Sequence, residues 1–160
     1  SNKSRYDLFM NGKEKFSLQE LTGLKLFRDR CENCHKEPLF TGETFENIGL
    51  KVDTTLNDLG RMAITKNTND SLKFKIPTLR NIQFTFPYMH DGRFKKLSEV
   101  VNHYVGGIQN SKTLSEKKKG KPILLSHEEK IDVVVFLLTL TDTEFLFNKR
   151  FTYPLEQKNK

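Results

Sequence analysis

The sequence contains no tryptophan, only two cysteines and no long apolar run. Two cysteines cannot form a disulfide framework, which excludes a small scaffold held together by disulfides. The longest apolar stretch, Val133 to Leu138, is far shorter than the roughly 18 residues that a membrane-spanning helix needs. We therefore expect no membrane span. The polar start, Ser-Asn-Lys-Ser without a start Met or a signal peptide, suggests a processed or recombinant piece of a longer chain.

The composition is that of one soluble, globular domain. The chain has 160 residues, of which 36% are hydrophobic and 29% charged, with a net charge of +7. Lys117, Lys118, Lys119 and Lys121 surround a glycine and precede a proline, so we interpret them as a solvated loop, with docking of an acidic partner as the alternative. This run lacks the interleaved aromatic residues of a nucleic-acid site, and we expect no nucleic-acid partner.

Three segments carry the signals of helices. Two capping boxes, Ser17-x-x-Glu20 and Ser126-x-x-Glu129, predict helices over about 18–29 and from 127 to near Thr141. A shorter helix is predicted over 97–104 because Gly106-Gly107 can end it. The apolar face predicted for the last helix consists of Ile131, Val134, Val135, Leu138 and, as an option, Leu137.

The strongest chemical signal is the pentapeptide Cys31-Glu-Asn-Cys34-His35. On a helical turn, positions i, i+3 and i+4 face one side, so two thiols can each add to one vinyl group of a haem while the imidazole lies under the iron. This spacing is typical of covalent c-type haem attachment. The motif predicts one haem c, held by Cys31 and Cys34 and ligated by His35.

Other readings of the two cysteines are weaker. A thioredoxin-type dithiol requires a βαβ context, which the helix pattern does not provide. A structural zinc site takes four ligands, whereas Cys31, Cys34 and His35 supply three and no second Cys/His pair follows at finger spacing. A chance match is the remaining alternative.

The ligand on the other side of the iron stays open at the level of residue types. A Met thioether raises the reduction potential of a haem, whereas His or Tyr lowers it, and composition does not choose between them. The candidates are Met62, Met89, His90, His103 and Tyr104. Residues 41–75, which are long for a loop, would gain an anchor from a haem edge.

Several further motifs resemble the C-terminal haem domain of the bacterial di-haem cytochrome c peroxidase and MauG-like family. The resemblance covers about residues 5–145 and implies a mainly α, cytochrome c-like domain with three main helices and long loops around the haem. We expect the domain to occupy 17–145, between a lead segment (1–16) and a polar tail (146–160). The motifs that carry the resemblance are Leu24–His35, Pro38–Thr41, Phe45–Gly49, Asp58–Arg61, Phe74–Asn81, Pro87–Arg93, Leu97–Tyr104 and Phe136–Thr141.

The resemblance also implies roles for individual residues. Cys31 and Cys34 would form the thioethers and His35 the proximal ligand. The family's peroxidases use a Met as the sixth ligand, but the matching position here is Tyr104, as in the MauG-like branch, where this hard anionic donor stabilises high-valent iron. Met89 is the alternative ligand, and Arg80 resembles an arginine near the haem propionates.

The family pattern implies partners as well. Its C-terminal haem passes electrons to a peroxide-reactive haem in an N-terminal domain, and a small cytochrome or cupredoxin supplies them. Backbone carbonyls at a Thr-x-Pro step, here Thr85-Phe86-Pro87, help to bind calcium between the two domains. We further expect a periplasmic location, a homodimer of the full-length enzyme, and little peroxidase activity from this piece alone.

Two other functions compete with this hypothesis. The first is a free-standing mono-haem electron carrier, which a signal peptide directly before residue 1 would favour over an upstream domain with a second Cys-x-x-Cys-His. The second is a small zinc-binding or interaction domain, which one iron per chain would exclude.

Overall fold

The structure, a computed structural model, describes residues 1–117, 119 and 123–151. These residues form a mainly α domain with a single two-stranded sheet among them. The α-helices are α1 (Arg5–Met10), α2 (Leu18–Arg30), α3 (Met62–Thr65), α4 (Leu97–Asn102), α5 (His127–Leu138) and α6 (Thr143–Leu146). Short 3-10 turns cover Thr68–Asp70, Ile82–Phe84 and Lys149–Phe151. The strands are β1 (Phe45–Glu46) and β2 (Phe74–Lys75), which pair antiparallel.

Both predicted capping boxes are confirmed. The Ser17 hydroxyl accepts from the amide of Glu20 at the start of α2, and the Ser126 hydroxyl accepts from the amide of Glu129 at the start of α5. In each case the glutamate carboxylate accepts a hydrogen bond from the backbone amide of the cap serine. Two otherwise unsatisfied N–H groups are thereby satisfied at each helix start, which is why these boundaries could be predicted.

Helices α2 and α5 pack against each other and form the centre of the domain. Their contact buries Phe27 and Phe136, and Phe40 and Leu140 extend the same core. Gly23 lies at the closest approach, because a Cβ at this position would meet the Asp132 carbonyl oxygen at 2.0 Å. Among the described helices, none is long and apolar enough to cross a membrane.

The predicted apolar face of α5 is wrong in part: Val134 packs against the core and the optional member Leu137 is buried, but Ile131 and Leu138 are not. The helix buries Val133, Phe136 and Leu137, whereas Ile131 and Leu138 are exposed. Since residues 133–138 are all apolar, several helix faces satisfy the periodicity equally well, and contact with α2 decides which of them is buried.

The predicted lead segment contains α1, which is joined to the core. Ser4 and Asp7 form a further capping box, and Tyr6 and Phe16 are buried. The boundary at residue 17 stays a prediction. The predicted solvated lysine run is described only in part, because Lys118 and Lys121 lie outside the described residues. Lys117 pairs with Glu46. Residues 152–160 of the predicted tail also lie outside the described residues.

Candidate haem-binding site

The cysteines and the histidine lie on one tight turn directly after α2. The amide of Cys31 donates to the Phe27 carbonyl at 2.7 Å, which completes the helix. The amides of Cys34 and His35 both donate to the Cys31 carbonyl at 3.0 Å. All three side chains are partly exposed. The continuation of the α2 helical turn thus gathers the predicted thioether and proximal residues at one place on the surface.

A backbone contact sets the tautomer of His35. Its Nδ1 lies 3.1 Å from the Phe40 carbonyl oxygen. Because a carbonyl can only accept, Nδ1 carries the proton and donates it, which places the lone pair on Nε2. Metal-ligating histidines commonly use this tautomer, with the other ring nitrogen donating to a carbonyl or carboxylate. The imidazole is therefore prepared to bind iron through Nε2.

Phe40 holds its carbonyl in place through its side chain. Its φ of +52° lies in the left-handed region, which costs a non-glycine residue roughly 1–2 kcal/mol. The ring is fully buried and makes edge contacts with Tyr6 at 4.9 Å and Phe27 at 5.5 Å between ring centroids. Burial of an aromatic ring offsets a cost of this size. The hydrophobic core thus fixes the acceptor for His35.

Tyr104 lies in a widened helical turn at the end of α4. Residues His103–Gly107 form a π-helix, a geometry that is frequent at functional sites. Burial raises the pKa of the Tyr104 phenol, and negative charge on Cys31 and Cys34 raises it further. The phenol is therefore within electrostatic reach of both thiols. Tyr104 is partly buried, and a phenolate in this place would be stabilised by a cation beside it, as ferric iron would be.

His103 anchors this turn to the 41–75 loop. Its Nε2 donates to the Ile48 carbonyl at 3.0 Å. Burial lowers the pKa of His103, although this hydrogen bond opposes the effect. Gly107 leaves room for the ring, because a Cβ there would lie 3.0 Å from Nδ1 of His103. His103 therefore orients the segment that carries Tyr104.

The remaining candidate ligands are Met62, Met89 and His90. Met62 begins α3 and is partly buried. Met89 is also partly buried, with a φ of +73°. The ring of His90 stacks on Phe74 with centroids 3.8 Å apart. Tyr104 and Met89 stay the predicted ligand and its alternative.

Arg80 makes its observed contacts with protein groups. The guanidinium forms a bidentate ion pair with the Asp7 carboxylate, with hydrogen bonds of 2.7 and 2.8 Å. Its Nε also donates to the Pro38 carbonyl at 3.1 Å. Its contact with a haem propionate stays a prediction. The calcium site at Thr85-Phe86-Pro87 likewise stays a prediction; Phe86 is exposed there.

A separate cleft lies along the 41–75 loop. Of the candidate haem ligands, His90 lines this cleft, whereas Cys31, Cys34, His35 and Tyr104 do not. Its walls are mainly apolar and come from Asn47, Ile48, Leu50, Val52, Asp53, Leu56, Asp58, Leu72, Phe74 and His90.

Sequence reasoning missed two residues close to the site and the anchoring role of a third, His103. Tyr6 and Asp7 fall in the predicted lead segment, yet they contact Phe40 and Arg80. The pattern Ser4-x-x-Asp7 is a weak capping-box signal that could have revealed the helix. No local pattern distinguishes His103 as a buried anchor, because its acceptor, Ile48, is 55 residues away.

Several known proteins are similar to this chain over most of its own length. No family model matches the chain. It is 38% identical over 122 residues to the methylamine utilization protein MauG of Methylorubrum extorquens, covering 74% of this chain and 33% of MauG. It is 34% identical over 142 residues to the cytochrome c551 peroxidase of Nitrosomonas europaea, covering 86% of this chain and 39% of the peroxidase.

A solved structure extends the match to nearly the whole chain. The crystal structure of a MauG-like protein associated with microbial copper homeostasis superposes with a TM-score of 0.84 at 30% identity, covering 96% of this chain and 52% of that protein. The chain belongs to the MauG-like, di-haem cytochrome c peroxidase family. The predicted cytochrome c-like, mainly α fold is confirmed. The di-haem peroxidase BthA of Burkholderia thailandensis has the same fold, with a TM-score of 0.68 at 22% identity.

The matches cover only part of each relative. The chain spans less than half the length of the curated relatives named above. The activity and partners of a complete enzyme of this family are therefore matters for proposal.

Proposed function

We propose that this chain is the c-type haem electron-transfer domain of a di-haem cytochrome c peroxidase or MauG-like enzyme. The observation that carries the proposal is the turn after α2, where Cys31, Cys34 and His35 lie together and His35 has its Nδ1 proton committed to the Phe40 carbonyl. A haem bound here would supply one-electron chemistry, while the protein supplies ligands, burial and orientation.

Each residue of the site has one task in this proposal. Cys31 and Cys34 would hold the haem through thioether bonds, and His35 would ligate it through Nε2. Tyr104 would be the second protein ligand of the iron, on the π-helical turn that His103 joins to Ile48. With two protein ligands the haem would leave no position for peroxide, and the domain would relay electrons instead.

The relay needs a donor and an acceptor outside this chain. We propose a small cytochrome or cupredoxin as the donor and a peroxide-reactive haem in an N-terminal domain as the acceptor. Calcium at Thr85-Phe86-Pro87 would lie between the two domains, and the full-length enzyme would work as a periplasmic homodimer. The half-length match to the relatives supports a second domain.

The decisive experiment is a visible absorption spectrum of the protein matured in the periplasm with a haem-attachment system. We expect one iron per chain, a haem that stays with the denatured polypeptide, and a reduced spectrum typical of two thioether bonds. The double variant Cys31→Ala/Cys34→Ala should release the haem on denaturation, and His35→Ala should lose the native spectrum. Zinc in place of iron, or a haem lost from the wild-type chain on denaturation, would contradict the proposal.

A further inference from the structure

The loop after His35 is fixed by the segment 78–80. Three successive carbonyls, those of Pro38, Leu39 and Phe40, each accept a hydrogen bond from this segment. Arg80 Nε donates to Pro38 at 3.1 Å, Thr78 Oγ1 donates to Leu39 at 2.5 Å, and the Leu79 amide donates to Phe40 at 3.1 Å. The last of these carbonyls is also the acceptor for His35. The orientation of the imidazole thus depends on how firmly 78–80 holds this loop.

Arg80 is in turn held by α1. The side chains of Arg80 and Asp7 are only 10% and 12% exposed, and two parallel hydrogen bonds join them. Ser4 accepts a third bond from the guanidinium, at 3.2 Å. The guanidinium also lies over the rings of Tyr6 and Phe40, at 5.6 and 5.7 Å from their centroids. A planar, forked cation can make all of these contacts at once, which an ammonium cannot do.

We propose that Arg80, held by Asp7, is a positioning residue for the proximal histidine. The ion pair fixes residues 38–40, so that the Phe40 carbonyl stays within hydrogen-bond distance of His35 Nδ1. This inference rests on the proposed function, in which His35 ligates the haem iron.

The contact has an electronic consequence. When Nδ1–H donates a hydrogen bond to a carbonyl, the imidazole becomes a stronger electron donor to the iron. A stronger donor favours ferric over ferrous iron. A looser 38–40 segment weakens this hydrogen bond, so the reduction potential rises. A direct propionate contact of Arg80 has the opposite sign, because loss of a cation beside the haem favours the ferric state and lowers the potential.

The test is a potentiometric titration of the haem-loaded chain and its variants. Arg80→Lys keeps the positive charge but loses the forked guanidinium that contacts Asp7 and Pro38 together. We expect the reduction potential of the haem to rise by about 59 mV, a tenfold shift of the one-electron equilibrium. Thr78→Val removes the bond to the neighbouring Leu39 carbonyl from an exposed side chain, and we expect a smaller rise. Thr78→Val decides the matter if Arg80→Lys does not retain haem.

A charge-balanced variant and a control complete the design. Asp7→Asn/Arg80→Gln removes both charges and should also raise the potential. Glu20→Gln breaks the Arg5–Glu20 ion pair between α1 and α2, away from residues 38–40, and should leave the potential unchanged. Unchanged potentials in the Arg80 and Thr78 variants, or a fall in the charge-balanced one, would overturn the inference. Failure of the proposed function would be visible earlier, as a wild-type chain without haem ligated by His35.

Discussion

Two histidines in this domain are held by backbone carbonyls, one five residues away in sequence and the other 55 residues away. His35 takes its tautomer from the Phe40 carbonyl, and His103 is held by the Ile48 carbonyl. Both acceptors lie in loops: the Phe40 side chain is fully buried, and Ile48 lies between the buried residues Asn47 and Gly49. At the residue scale, the orientation of His35 and of the turn that carries Tyr104 therefore depends on backbone carbonyls of residues outside the predicted ligand set.

The first prediction at this scale concerns Tyr104. We expect Tyr104→Phe to change the ferric visible spectrum, with loss of the phenolate-to-iron charge-transfer band, because Phe has no oxygen donor. Tyr88→Phe is the matched control, since the Tyr88 hydroxyl donates to the Ile82 carbonyl at 3.0 Å. A ferric spectrum that is the same in Tyr104→Phe and wild type would exclude Tyr104 as ligand and favour Met89.

The second prediction concerns pH and the pair Arg28–Glu37. The hydrogen bond from Arg28 lowers the pKa of Glu37 below its ordinary 4.5; burial opposes this, and the Tyr6 hydroxyl adds to it. A lowered pKa means that the carboxylate contributes stability above pH 4.5 that is lost as the pH falls through the folded-state value. We expect Arg28→Gln to cost about 1 kcal/mol at pH 7 and to show a shallower loss of stability in acid.

Urea unfolding followed by circular dichroism between pH 7 and pH 3 measures this difference. Lys3→Gln, which breaks the exposed pair with Glu144, should keep the wild-type pH dependence. Parallel pH profiles for wild type and Arg28→Gln would show that the ion pair does not stabilise the fold.

At the scale of elements, the close approach of α2 and α5 decides the arrangement of the core. Gly23 has no side chain where the backbone of α5 passes, and Phe27 and Phe136 then meet with ring centroids 5.1 Å apart. Phe40 joins both rings from the loop after His35. Helix contact and haem-site geometry are therefore linked through one aromatic cluster.

A glycine substitution tests this arrangement. We expect Gly23→Ala to destabilise the domain by about 1–3 kcal/mol or more, because the new Cβ would lie 2.0 Å from the Asp132 carbonyl oxygen and 2.7 Å from Phe136 Cβ. Gly106→Ala is the control: no atom lies within 4 Å of its Cβ, and its effect should stay below about 1 kcal/mol. Denaturant midpoints measure both, and equal midpoints would contradict the close contact.

At the scale of the whole molecule, the domain corresponds to a part of its relatives. It covers 52% of the MauG-like structure and 39% of the Nitrosomonas peroxidase. In the proposed function, the haem would have two protein ligands and no open position for peroxide. The complete catalytic cycle is therefore expected to need the second haem domain.

This leads to a prediction about activity. We expect the haem-loaded chain alone to oxidise a reduced cytochrome with hydrogen peroxide at a rate near that of the uncatalysed mixture. A full-length relative such as the Nitrosomonas peroxidase, assayed in parallel, should turn over readily. A rate for the isolated chain comparable to that of the relative would refute the relay assignment.

The sequence by itself determined the local features of this protein. The capping boxes at Ser17 and Ser126 set the helix starts, because a cap needs only four neighbouring residues. The Cys31–His35 spacing predicts the haem attachment for the same reason, and the family motifs predicted a fold that the relatives confirm.

Only the tertiary structure decided the rest. It selected the buried face of α5, placed Arg80 on Asp7, and aimed the Phe40 carbonyl at His35. The first depends on an apolar run that fits several faces equally well. The Arg80–Asp7 contact joins residues 73 positions apart, and the Phe40 carbonyl depends on a left-handed residue held by a distant core. Local patterns carry no information about such contacts, because their free energy arises only once the chain has packed.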